Sequence, residues 1–176
     1  MNVKAFKALL LPFVFILAMT FTQSNDAAAA YSREQLKTYA VQKVNTKDLE
    51  CLAKNIYFEA RGEPKRGQVA VARVVMNRVN HGFADSPCEV VYQKTRTPTR
   101  GLLCQFSWVC EGKRKLDKTD PAYIAAKDIA YRVLVHDAYR HEVSKRTLFF
   151  HSTKVNPNWR YRRVERIGNH IFYEKI

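Results

Sequence analysis

The 176 residues contain no Gly-x-Ser-x-Gly elbow, no phosphate-cradling glycine loop and no dinucleotide fingerprint. Nucleophilic-serine and nucleotide chemistry, which need those turns, are thereby set aside. Short paired-cysteine ligand spacing is also missing. That counts against a structural zinc site although His136, His141 and His151 are available, and no metal or other cofactor is expected. Acidic residues are scarce, 16 against 30 basic ones, for a formal charge of +14. The basic residues are scattered rather than striped and no recognition motif accompanies them, so a nucleic-acid partner is not expected. After residue 30 no apolar run is long enough to cross a bilayer, and no internal repeat occurs.

What is present begins with an export signature. "MNVKAFKALL" carries two lysines, "LLLPFVFILAMTF" is apolar but short and holds Pro12, and "AAAAY" offers small residues for cleavage near Ala29 or Ala30. Residues 1–30 therefore read as a secretory signal, with an uncleaved anchor as the alternative. Residues 31–45 form a polar lead-in, and 46–176 a single domain large enough for a real core. Loss of Lys4, Lys7 and Asp26 leaves 28 basic and 15 acidic residues. A periplasmic or envelope-associated monomer of this charge suits anionic envelope polymers. Four cysteines, Cys51, Cys88, Cys104 and Cys110, favour two disulfides in an oxidising compartment, in one of three connectivities.

Helical signals dominate the first part. Asn45 or Thr46 can cap a helix whose apolar face is Leu49, Leu52, Ala53, Ile56 and Ala60, with Gly62 as a left-handed stop and Pro64 beyond it. From Val69 to Val79 apolar residues occupy most of the circumference, interrupted only by Arg73, Asn77 and Arg78, so this is a buried helix ending at Gly82. Ser86, Pro87 and Glu89 spell a capping box, and Asp120-Pro121 opens a long helix. "KTRTPTRGLL" reads as a turn-rich loop. "TLFFH" reads as a strand, and "RYRRVERI" with "HIFYEK" as a hairpin across Gly168-Asn169. Helices first and a small antiparallel sheet last is the α+β pattern.

The stretch "NIYFEARGE" places Glu59 at the rim of an apolar face in the last turn of a helix. Partial desolvation and the carbonyl end of the helix both favour a retained proton, as a general acid requires. A surface glutamate paired with Arg61, Lys65 or Arg66 fits the same geometry. "QFSW" alternates polar and aromatic side chains, Gln105, Phe106, Ser107 and Trp108, between two cysteines. That alternation suits a saccharide, and Phe106 and Trp108 suit a core equally well.

Taken together, "AKNIYFEARGEPKRGQVAVARVVMNRV", "CEVVYQ", "CQFSW", "LFFH" and "IGNHIFY" resemble the SleB/CwlJ-type cell wall hydrolase family across about Leu49 to Tyr173. The resemblance implies a lysozyme-related fold with a small C-terminal sheet, peptidoglycan as substrate and one essential glutamate in the "EARGE" block, matching Glu59. A separate wall-binding module, common in spore-type relatives, is not expected here.

Two-carboxylate glycosidases need a second group. Glu63 is read as the start of the next helix, Glu89 as a cap, and Glu111 as lying beyond the cysteine segment. A lytic transglycosylase needs only one carboxylate and is the expected reaction. A hydrolytic muramidase and a non-catalytic wall-binding protein are the alternatives. Gln105 and Ser107 are expected to orient the sugar or Glu59, with Tyr57, Phe106 and Trp108 lining the cleft and His151 and Tyr173 contributing from the sheet. His170 is read as structural, and Asn77 and Arg78 as satisfying neighbouring backbone.

Overall fold

Asn45 caps the first helix by accepting from the Lys47 N–H at 3.0 Å, and α1 runs Thr46–Ala60. This is a computed structural model that describes residues 45–99, 101–112 and 115–176. The expected signal and almost all of the lead-in fall outside the described residues. Helix α1 buries Leu52, Ala53, Ile56 and Ala60, the face its periodicity predicts. Its end differs from the expectation. Arg61 stays right-handed, the Glu63 N–H returns to the Ala60 carbonyl at 2.9 Å, and Gly62 does not adopt positive φ. The reversal into Pro64 supplies the stop.

Helix α2 (Lys65–Asn80) is the central element and ends beside Gly82 at φ 71°. Helix α3 (Pro87–Tyr92) starts with the expected cap: Ser86 Oγ accepts from the Glu89 N–H at 3.2 Å, while the Glu89 carboxylate accepts from the Asp85 N–H at 3.0 Å. The basic loop that follows is a hairpin rather than irregular chain, with β1 (Lys94–Thr97) antiparallel to β2 (Gly101–Cys104). A 3-10 turn at Ser107–Val109 and helix α4 (Pro121–His136), capped by Asp120, complete the helical part. The second sheet orders β3 (Thr147–Ser152), β5 (His170–Glu174) and β4 (Arg162–Ile167), all antiparallel, with β5 in the middle. The fold is α+β, as expected. Among the described residues no helix is long and apolar enough to cross a membrane.

Leu52, Ile56, Val69, Val75, Val91, Tyr123 and Val133 fill the main core between the four helices. Each such aliphatic side chain contributes about 1.5–3 kcal/mol by leaving water. Ala70, Val71, Val74, Val143, Ile167 and Phe172 join α2 to the sheet, and Phe150 packs against both clusters. Two disulfides form, Cys51–Cys88 tying α1 to α3 and Cys104–Cys110 closing the short loop around the 3-10 turn.

The three polar residues of the buried helix have a common use. Arg73 donates to Asp137 at 2.7 Å, Asn77 Nδ2 to the Ser144 and Thr147 carbonyls at 3.0 and 2.9 Å, and Arg78 Nε to the Leu148 carbonyl at 2.7 Å. They fasten the segment between α4 and β3 to α2. A buried polar group tolerates its site only when bonded in this way.

Candidate functional site

Helix α1 presents Asn55, Phe58 and Glu59 on neighbouring turns, and these positions build one wall of a groove. Asn55 is buried, and its Oδ1 accepts from the Trp108 indole N–H at 3.1 Å. Phe58 lies against the Trp108 ring with centroids 4.7 Å apart. The 3-10 turn is thereby pinned on α1 one helical turn before Glu59. The opposite wall comes from the sheet side, through Ser152, Lys154, Asn169 and His170. The groove is about 290 Å³ and is lined by Phe58, Glu59, Glu63, Ser107, Trp108 and those four residues. Glu59 is partly exposed in it.

Glu63 closes one end. Its carboxylate accepts from the Asn169 backbone N–H at 2.8 Å and from Asn169 Nδ2 at 3.2 Å. Gly168 has φ 57°, and a Cβ there would collide with that carboxylate and with Pro64. The turn between β4 and β5 therefore docks on the exit of α1, and the glycine is required twice, for conformation and for approach. His170 follows the turn and is buried, its ring edge-on to Phe150 at 5.1 Å. Burial lowers its imidazole below the ordinary value, with Glu63 acting in the opposite direction and His151 adding to the lowering.

On the inner side stands Arg78, only 2% exposed. Its guanidinium lies 5.4 Å from the Phe106 ring centre, 5.5 Å from Phe149 and 5.9 Å from Phe83. The amide orientation that satisfies both partners sets Gln105 Oε1 at 2.8 and 3.2 Å from the two terminal guanidinium nitrogens. Burial brings Arg78 down to about 10, and the negative charge of Glu59 works against that lowering.

Of the residues singled out from sequence, the structure brings Ser107 and Trp108 into one groove with Glu59. Gln105 and Phe106 sit behind that wall against Arg78. Tyr57 is buried, donates to Asp120 at 2.7 Å and meets Tyr123 edge-on at 5.8 Å, so it couples α1 to the start of α4. His151 and Tyr173 bond to each other at 2.9 Å. The register pairs Ser152 with His170 and Phe149 with Tyr173, and strand alternation then puts His151 and Tyr173 on the face away from Ser152 and His170. There they join Phe149, Trp159 and Tyr161 in a ring cluster. Phe58, Glu63, Ser152, Lys154, Asn169 and His170 were not anticipated as groove residues. Only the hairpin across Gly168-Asn169 hinted that the last two share a corner.

Residues 62–173 match the Cell Wall Hydrolase family. The chain is 28% identical over 156 residues to the spore cortex-lytic enzyme of Bacillus subtilis, covering 86% of this chain and 46% of that protein. To the spore cortex-lytic enzyme of Oceanobacillus iheyensis it is 32% identical over 130 residues, 71% of this chain and 41% of that one. It therefore spans less than half the length of these curated relatives. The crystal structure of the catalytic domain of the Bacillus cereus SleB protein superimposes with a TM-score of 0.52 at 25% identity, over 74% of this chain and 91% of that domain. The shared part thus corresponds to the solved domain of that protein, and the family span begins just after Glu59. A match over most of the described domain, joined to a likeness in sequence and in fold, settles the kinship: this chain belongs to the Cell Wall Hydrolase family.

Proposed function

We propose that the chain is an exported enzyme that cuts the glycan strands of peptidoglycan, and that it does so as a lytic transglycosylase with Glu59 as the single catalytic carboxyl group. The observation that carries this reading is the groove itself. A partly exposed glutamate in the last turn of α1 shares it with an aromatic ring, a serine hydroxyl and a lysine. An apolar ring face with flanking polar groups suits a sugar.

In the reaction, protonated Glu59 gives its hydrogen to the oxygen bridging N-acetylmuramic acid and N-acetylglucosamine as the bond from that oxygen to the anomeric carbon breaks. The carboxylate left behind takes the proton of the muramic 6-hydroxyl, whose oxygen bonds to the anomeric carbon. The products are a 1,6-anhydromuramic end and a free N-acetylglucosamine hydroxyl. The nucleophile belongs to the substrate, so no second carboxylate has to position water. Ser107 and Trp108 hold the sugar, and Gln105 packs behind them against Arg78.

One observation favours hydrolysis instead: Glu63 lines the same groove. Against it, both carboxylate oxygens of Glu63 already accept bonds from Asn169, which suits a clamp better than a base. Digestion of purified peptidoglycan followed by mass spectrometry separates the readings. Anhydro-muropeptides support the transglycosylase, reducing-end sugars the hydrolase, and no soluble fragments a wall-binding protein. A Glu59→Gln variant that still released fragments at the wild-type rate would remove Glu59 from the chemistry.

A further inference from the structure

The chain leaving β3 turns at once, and three backbone N–H groups hold the turn. Thr153 donates to the Asn169 carbonyl at 2.8 Å, Val155 to the Ser152 carbonyl at 3.1 Å, and Lys154 to Ser152 Oγ at 3.3 Å. The backbone of Lys154 is thereby fixed beside the β4–β5 turn that Glu63 clamps. Its side chain is exposed and lines the groove on the wall opposite Phe58, Glu59 and Trp108. Among the described residues it enters no ion pair. Ser152, in the same wall, accepts in its bond to Lys154 and keeps a hydroxyl hydrogen to donate. Burial favours the neutral form of His170, so Lys154 carries the positive charge among the lining residues, facing the carboxyl groups of Glu59 and Glu63.

We infer that Lys154, with the Ser152 hydroxyl on the same turn, forms a carboxylate-binding subsite that recognises an acidic group carried by the muramic sugar of the strand being cut. The inference rests on the reading of this groove as the place where glycan is cleaved. Sugar hydroxyls and N-acetyl groups are neutral and give an ammonium group no counter-charge. The acidic groups of peptidoglycan hang from the lactyl arm of muramic acid. They are carboxylates of the peptide where the peptide is intact, and the arm's own carboxylate where it has been removed. Either one can accept from an ammonium and a hydroxyl together, and such charge-assisted bonds are stronger than neutral ones. The two glutamates of the helical wall repel an acidic arm, so the same group is attracted to one wall and turned away from the other. The consequence is register along the strand. Only alternate sugars carry the arm, so holding it against the sheet wall decides which sugar sets its anomeric carbon over Glu59. Lys154 is in this sense a specificity residue that takes no part in proton transfer.

The test varies the charge of the substrate and of Lys154 together. Purified sacculi and sacculi stripped of peptides by an amidase are each compared with a preparation whose carboxyl groups have been converted to amides by carbodiimide and ammonia. Fragment release at varied substrate gives kcat and KM. Lys154→Gln is expected to lower kcat/KM on the carboxylate form about three- to ten-fold, through KM, and on the amidated form by less than about two-fold. Lys154→Arg should restore most of the preference, and Lys154→Glu should reverse it. A loss confined to intact sacculi assigns the subsite to a peptide carboxylate, and one confined to stripped strands assigns it to the lactyl carboxylate. Lys47→Gln removes an equal charge from an exposed position at the start of α1 and should leave the ratio between the two forms near that of the wild type. Equal losses for Lys154→Gln on carboxylate and amidated substrate, or a loss no larger than that of Lys47→Gln, overturn the inference. Co-sedimentation of the Glu59→Gln protein, with and without Lys154→Gln, on the same preparations repeats the comparison without turnover. A failure of Glu59 as the acid is therefore read separately from a failure of the subsite.

Discussion

The helical half and the C-terminal sheet contribute opposite walls of one groove, but different forces hold them. Helices α1 to α4 enclose an apolar core, and the Cys51–Cys88 bridge joins α1 to α3 covalently. The sheet packs fewer apolar side chains on α2 and depends on polar connections. Arg73, Asn77 and Arg78 secure the chain leading into β3, Glu63 secures the β4–β5 turn, and buried Glu174 is paired with Arg162 and Arg146. Apolar burial is tolerant of small displacements, whereas a hydrogen-bonded clamp fixes direction. The difference sets Glu59 on the disulfide-braced helical wall and leaves the polar wall to be aimed by its hydrogen bonds.

The sharpest way to probe this contrast is to compare Glu59 with Glu63, which lie one helical turn apart in sequence but serve different walls. Glu59→Gln should lower turnover by roughly a thousand-fold, about 4 kcal/mol of transition-state stabilisation. Glu63→Gln should cost less than about ten-fold in turnover and act mainly through the turn it holds. Equal losses, measured as fragment release from purified peptidoglycan, would erase the distinction between acid and clamp. Next in size, replacing both Cys51 and Cys88 by serine should lower stability by about 3–4 kcal/mol, read from urea unfolding. Gly168→Ala attacks the polar wall and should cost about 2–3 kcal/mol, with loss of protection at the Asn169 amide in hydrogen exchange. If that amide stays protected, the Glu63 clamp is not what docks the sheet.

The smallest expected effect concerns pH. Glu50 accepts from the Tyr123 hydroxyl at 2.7 Å and from Lys127 at 3.1 Å, and these contacts, the tyrosine first, hold its carboxyl at about 2 instead of 4.5. A folded-state value below the unfolded one contributes stability above pH 4.5, which is lost as pH falls toward 2. After solvent screening the loss should be about 1 kcal/mol, and Glu50→Gln should flatten this part of the stability curve. A wild-type curve already flat there would show that the contact adds nothing.

Much of the helical half was legible because its signals are local. Ser86 and Asp120 cap as their spacing predicts, and the uninterrupted apolar run of α2 reads directly as burial. The sheet's three strands were legible for the same reason, and its hairpin turn falls at Gly168-Asn169. The groove was only half legible. Glu59 and Trp108 carry local patterns, but the Glu63–Asn169 contact spans 106 positions and leaves no periodicity to read. Arg78 was misleading in another way. A cation in an apolar helix invites a backbone role, which it has, and hides its contacts with Gln105 and three phenylalanine rings. His151 and Tyr173 were drawn toward the site by chemistry alone, but a period of two decides which face a strand residue takes.

The chain has two tryptophans, and the fold separates them. Trp108 forms part of the groove wall beside Glu59, whereas Trp159 lies 39% exposed within the ring cluster on the other face of the sheet. Replacing Trp159 by phenylalanine would leave a single indole emitter lodged in the groove wall beside Glu59. Its fluorescence would then report occupancy of the groove directly, with no dye attached to the protein or its ligand.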